Sequence, residues 1–173
     1  QVYRHMDIGT AKPSLKELSL VPHHLINIVD PDEDFSLAQY QELAYRAIDD
    51  IGQRHKLALL VGGSGLYFWS VLEGWEIPQV PPAPEFRRNL GERAAKFGTD
   101  ELYQELMKVD PVATLRIDRH NVRRIIRALE VHRDKKIPFS QLQHRKTVLS
   151  NTLIIGLTTD RAELYRRIDL RVD

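Results

Sequence analysis

The chain has 173 residues, an apolar share of 42%, a charged share of 28% and a net charge of +1, the composition of a soluble globular protein with one domain or a core carrying a small insertion. No apolar run approaches the roughly 18 residues of a membrane span and no signal-peptide pattern opens the sequence, so no membrane partner is expected. Cysteine is absent, which excludes disulfide and thiolate chemistry and fits a reducing, cytoplasmic setting.

The first thirteen residues, Gln1-Val2-Tyr3-Arg4 and Met6-Asp7-Ile8-Gly9-Thr10-Ala11-Lys12-Pro13, are a tract too specific for an ordinary N-terminus. Leu25–Val29 reads as a strand ended by Asp30-Pro31. Ser36 with Gln39 three residues on is a capping box that opens a helix. Leu37, Tyr40, Ala44, Ala47, Ile48 and Ile51 fall on one stripe of that helix. Leu57–Val61 is an unbroken apolar run, as expected of a strand buried on both faces of a parallel sheet. Gly62-Gly63-Ser64-Gly65 then turns the chain into a helix from Leu66.

Pro78, Pro81, Pro82 and Pro84 change the pattern. Helical stretches near 85–97, 100–109, 111–116 and 121–134 follow, punctuated by Gly98, Asp110-Pro111 and Pro138. Apolar strand character returns only at Thr152–Leu157, after which Asp160 and Glu163 form a further capping box. The pattern is α/β at both ends and helical in the middle. It predicts an α/β core over 1–78 and 148–173 with a helical subdomain inserted at 79–147.

Charge follows the same division. Residues 79–147 hold 15 Lys+Arg against 9 Asp+Glu, and the rest of the chain holds 10 against 15. Such a basic stretch can neutralise nucleic-acid phosphates, and a solvated helical face has the same composition.

Four sets of residues carry candidate chemistry. Gly62–Gly65 lets a ligand approach the backbone at a helix N-terminus, although without the Lys of G-x-x-x-x-G-K-[ST] it is not a triphosphate loop. Arg123, Arg124 and Arg127 share an arc opposite the apolar residues Val122, Ile125, Ile126 and Leu129. Cations at a helix N-terminus oppose the dipole, so an anion such as phosphate or pyrophosphate is the favoured partner. The seven histidines show no metal-ligand spacing, and no metal ligands are expected in the chain. Tyr67, Trp69 and Trp75 read as core residues.

In order and spacing, Gln1 to Pro13, Val21–Leu25, Leu60–Tyr67 and Arg123–Val131 resemble the tRNA dimethylallyltransferases, also called tRNA isopentenyltransferases. The resemblance covers essentially the whole chain. It implies a P-loop NTPase-like parallel-sheet core with an inserted all-helical domain that holds the tRNA anticodon stem-loop. It also implies transfer of a dimethylallyl group from dimethylallyl diphosphate to the exocyclic amine of the adenosine adjacent to the anticodon, with Mg²⁺ assisting pyrophosphate departure and the adenine flipped into a channel.

By motif position, Gln1 lies against the target adenosine, and Ser64, standing where the family usually has Thr, lies near the reacting base. Arg87 and the run Arg123, Arg124, Ile125, Ile126 and Arg127 contact tRNA or the diphosphate. The general-base Asp of the family's Asp-Ser-x-Gln motif is expected three residues before Gln1, with the phosphate loop and most Mg²⁺ ligands further upstream and more helices after Asp173. The expectation is therefore a fragment, monomeric and by itself inactive. His5 replaces the family's usual Gly. An adenylate isopentenyltransferase and a non-catalytic RNA-binding module are the alternatives.

Overall fold

The computed structural model describes residues 1–142 and 151–172. Residues 143–150, on which the expected 147/148 boundary falls, lie outside the described residues, as does 173. The chain divides into two compact units, one of Gln1–Gly74 with Thr147–Asp173 and one of Trp75–Lys146.

In the first unit the opening tract runs beside residues 27–29. The Ile28 N–H donates to the Val2 carbonyl at 2.8 Å and the Arg4 N–H to the Val29 carbonyl at 2.8 Å. The pairing amounts to a single parallel bridge, Tyr3 to Val29. Ser14 and Glu17 cap α1 (Leu15–Leu20) reciprocally, a box that the sequence spells as S-x-x-E but that the expectations above did not include.

Helix α2 (Leu37–Gln53) starts at the expected box, with the Ser36 hydroxyl accepting from the Gln39 N–H and the Gln39 side chain reaching back to the Ser36 N–H. It packs on α3 (Gly65–Leu72) through a Tyr40–Tyr67 stack, centroids 4.3 Å apart and planes 15° off parallel. The Gln41 amide and the Tyr45 hydroxyl donate to the Ser70 and Val71 carbonyls at 2.6 and 2.8 Å. These bonds reach the last turn of α3, whose carbonyls have no partner within the helix.

The strands expected at 25–29, 57–61 and 152–157 do not form among the described residues. Leu25 and Asn27 adopt left-handed backbone angles, φ 61° and 55°, which interrupt any extended run. The other two segments have no strand partner among the described residues, and a parallel strand exists only when a neighbouring strand takes its N–H and C=O groups. The final helix α8 (Arg161–Val172) begins where expected, with half the predicted box. The Asp160 carboxylate accepts from the Glu163 N–H at 2.9 Å, while the Glu163 carboxylate turns to Arg166 and Arg167.

The second unit closes a core of its own. Helices α4 (Pro84–Phe97), α5 (Thr99–Val109), α6 (Pro111–Thr114) and α7 (Val122–Lys135), with a 3-10 turn at Phe139–Leu142, surround Leu90, Leu102, Leu106, Ala113, Ile117, Ile125 and Leu129. Gly98 joins α4 to α5 at φ 90°, a conformation that favours glycine. Asp110 joins α5 to α6 and is buried. Its carboxylate accepts from the Ala113 N–H at 3.0 Å, the Ser140 N–H at 2.7 Å and the Ser140 hydroxyl at 2.6 Å. One acid thereby caps α6 and fastens to it the 3-10 turn that follows α7, while α7 itself packs on α4 and α5.

Candidate functional site

The expected site residues fall into both units. In the first, Gln1 is exposed, and its side-chain amide donates to the Ala11 carbonyl at 2.5 Å. The tract from His5 to Lys12 forms a loop with left-handed residues at its start and middle, His5 at φ 61° and Gly9 at φ 67°. Glycine would be relaxed at His5, which gives the family's preference there a physical reason.

Lys12 closes the loop. Its ammonium donates to the Tyr3 carbonyl and the Asn27 side-chain oxygen at 2.8 Å each, and it pairs with Asp7 at 2.6 Å. The Lys12 side chain is only 5% exposed, so this cation is a fixed part of the tract. Sequence reasoning gave it no role; the signal was a lysine next to Pro13 inside a tract otherwise recognised as specific.

Ser64 is the N-cap residue of α3, and its hydroxyl makes no cap hydrogen bond. A Cβ added at Gly62 or Gly63 would meet nothing within 4 Å. Packing among the described residues does not demand glycine at either position. Tyr67, one turn on, stacks on Tyr40 and has its phenol pushed up by burial and then by the charge of Tyr3.

In the second unit Asn121 caps α7, its side-chain oxygen accepting from the Arg124 N–H at 3.1 Å. Arg123 and Arg124 occupy the first turn, exposed, in a helix start that carries no acidic residue. Neither has an acidic partner among the described residues. Their charge adds to the positive end of the helix dipole, so the position favours a bound anion.

The rest of the expected run behaves differently. Ile125 is fully buried and Ile126 is 9% exposed, both in the α4–α7 core. The 3.6-residue period that turns Arg123 and Arg124 outward turns these two side chains inward.

Arg127 and Arg87 converge on Glu130, which is 2% exposed. Arg87 grips the carboxylate with Nε and a terminal nitrogen, both at 2.7 Å; Arg127 adds a bond at 2.6 Å; the Ala83 N–H adds one at 2.8 Å. Arg127 also donates to the Val80 carbonyl at 3.0 Å and the Pro78 carbonyl at 3.3 Å. Burial raises the Glu130 carboxyl, but Arg87, the Ala83 N–H and Arg127 outweigh it and hold the group at about 2. Sequence reasoning quoted Glu130 without assigning it; the available signal was an acid three residues after Arg127 on the helix's inner side.

Among the described residues no group of three His, Asp or Glu side chains could hold a metal ion. No helix of the described residues is long and apolar enough to cross a membrane.

The Lys12-latched opening tract, the glycine turn before α3 and the exposed Arg123 and Arg124 at the start of α7 are the features that comparison with known proteins bears on. The model of the family described as IPP transferase matches residues 1–173. The chain is 53% identical over 173 residues to the tRNA dimethylallyltransferase of Roseiflexus castenholzii, covering all of this chain and 56% of that protein. It is 51% identical to that of Chloroflexus aggregans, covering all of this chain and 58% of that one.

Among solved structures, the full-length tRNA isopentenylpyrophosphate transferase of Bacillus halodurans is 40% identical with a TM-score of 0.55, covering 99% of this chain and 53% of that one. A eukaryotic dimethylallyltransferase captured acting on tRNA is 27% identical with a TM-score of 0.62, over 82% of this chain and 35% of that one. The chain belongs to the IPP transferase family, and it spans about half the length of the curated relatives it matches.

Proposed function

We propose that the full-length protein transfers a dimethylallyl group from dimethylallyl diphosphate to the exocyclic amine of the adenosine beside the anticodon of tRNA. The amine nitrogen attacks the carbon bearing the diphosphate; the C–O bond breaks, pyrophosphate leaves with the electron pair, and the amine loses one proton. The observation that carries this reading is the 53% identity, without interruption of the match at either end, to a protein of that name. The geometry supports it: Arg123 and Arg124 offer two guanidinium groups and a helix N-terminus to phosphate, while Gln1 and the uncommitted Ser64 hydroxyl can address a base.

In this reading Gln1 and Ser64 orient the adenosine, and Arg123 and Arg124 hold the stem-loop backbone. No G-x-x-x-x-G-K-[ST] loop occurs among the 173 residues, and the transfer is proposed for the full-length protein. Leu57–Val61 and Leu153–Leu157 serve as strands of the P-loop-type sheet, consistent with the solvent exposure of Leu57, Leu59, Val61, Leu153, Ile155 and Leu157 where they lack neighbours.

The test is to incubate full-length protein with labelled dimethylallyl diphosphate, Mg²⁺ and either an anticodon stem-loop or AMP, then digest and identify the modified nucleoside. Prenylated adenosine in the stem-loop is expected. Label on AMP alone would favour the adenylate enzyme, and label on neither the non-catalytic module.

A further inference from the structure

The arginines assigned together to RNA by motif position are not chemically equivalent. Arg123 and Arg124 stand exposed without acidic partners among the described residues. The Arg127 guanidinium spans three acceptors of its own unit, the Pro78 and Val80 carbonyls and the Glu130 carboxylate. Arg87 meets the same carboxylate in a two-pronged grip. A bidentate Arg–carboxylate pair whose acid is buried does not open cheaply, because the freed carboxylate would remain out of water.

We infer that Glu130, Arg127 and Arg87 are positioning residues, which set the Pro78–Ala83 segment and the start of α4 against α7, and that Arg123 and Arg124 carry the phosphate contact. This rests on the reading that the protein binds an anticodon stem-loop.

The geometry explains why arginine is needed at 127. The two carbonyls and the carboxylate lie in different directions, and a planar guanidinium can donate to all three at once. A lysine ammonium would keep the charge but lose the fork. The Ala83 N–H, at the N-cap position of α4 where no side-chain cap exists, is satisfied by Glu130 instead. Glu130 therefore supplies from α7 the half of a capping box that satisfies the N-cap N–H, and it orients the helix that carries Arg87.

The discriminating experiment measures stem-loop binding by full-length protein across a salt series, alongside thermal unfolding, for R123Q, R124Q, R127Q, R127K, R87K and E130Q. A phosphate contact contributes to the slope of log Kd against log salt, about one charge per residue. R123Q and R124Q are expected each to flatten that slope by about one. R127Q, R127K, R87K and E130Q are expected to keep the wild-type slope and to weaken binding by roughly tenfold, the scale of indirect effects.

R127K matching wild type while R127Q flattens the slope would overturn the proposal, as would tighter binding by E130Q, the result expected if Glu130 merely competed with phosphate for the two arginines. Should E130Q not fold, the R127K and R127Q pair decides alone. Should wild-type protein show no salt-dependent binding, the functional reading fails, and the positioning claim is then judged by unfolding: R127K and R127Q must both melt clearly below R123Q, and equal melting would end it.

Discussion

The two units of this chain solve the burial problem in different ways. The second closes on itself: Leu102, Leu106 and Ile125 are fully buried in a core drawn from four helices adjacent in sequence. The first leaves its most apolar segments in solvent, with Leu57 at 84%, Val61 at 89% and Leu157 at 95% exposure. Helices meet their backbone hydrogen bonds within themselves and need neighbours only for side chains. An extended segment needs a neighbour for both, so its apolar pattern is a demand that other strands must meet. Local order in the second unit and unmet pairing in the first follow from that distinction.

The contrast breaks most readily under core truncation. Leu106→Ala should destabilise the second unit by about 2–5 kcal/mol, whereas Leu59→Ala in the 173-residue chain should change stability by less than about 0.5 kcal/mol. Urea unfolding of both variants checks this, and an equal loss from the two would erase the distinction. In full-length protein, where Leu59 is proposed to sit in a sheet, the cost of Leu59→Ala should rise to about 2–5 kcal/mol.

Acid sharpens it next. Glu130 titrates at about 2 in the folded chain against an ordinary 4.5. A lowered folded value means that its contribution is complete above the unfolded value and is lost as pH falls from 4.5 toward 2. That contribution is about 3 kcal/mol at neutral pH, and it belongs to the second unit alone. The difference in stability between wild type and E130Q should therefore shrink steadily as pH is lowered through this window and stay constant above it. A difference unchanged across the window would mean the carboxylate is not held as described.

The smallest effect is one the two units should share. His5 and Lys136 both occupy left-handed backbone, at φ 61° and 57°. Glycine at either site removes the steric cost and returns part of the gain as unfolded-chain entropy, leaving a stabilisation of about 0.5–1 kcal/mol. Melting temperatures of His5→Gly and Lys136→Gly should rise by similar amounts, because this strain is local and independent of the core beneath it. A rise at one site only would show that tertiary contacts hold the other in place.

Much of the helical architecture was legible in the sequence. The Ser36–Gln39 box, the helix after Ser64, the Asp110-Pro111 punctuation and the Asn121 cap all marked real helix starts, because capping is chemistry between residues a few positions apart. The strands at 57–61 and 152–157 were not secured by their apolar runs, since pairing is non-local. The strand expected at 25–29 failed at Leu25 and Asn27; asparagine, which tolerates left-handed backbone, was a signal passed over, whereas leucine gave none.

The site shows the same boundary. Periodicity put Arg123, Arg124 and Arg127 on one polar arc, but it could not tell an arginine facing solvent from one facing a buried carboxylate. Ile125 and Ile126 lay inside a recognised motif, and their inward phase was visible in the same helical stripe that named them.

The sequence by itself determined the family, the helix starts and the basic character of residues 79–147, because these are properties of residue identity, order and short-range spacing. Only the tertiary structure decided that Lys12 latches the opening tract and that Glu130 gathers Arg87, Arg127 and the Ala83 N–H. Both depend on groups far apart in the chain arriving within hydrogen-bond distance, and a buried charge takes its role from the partners that replace water around it.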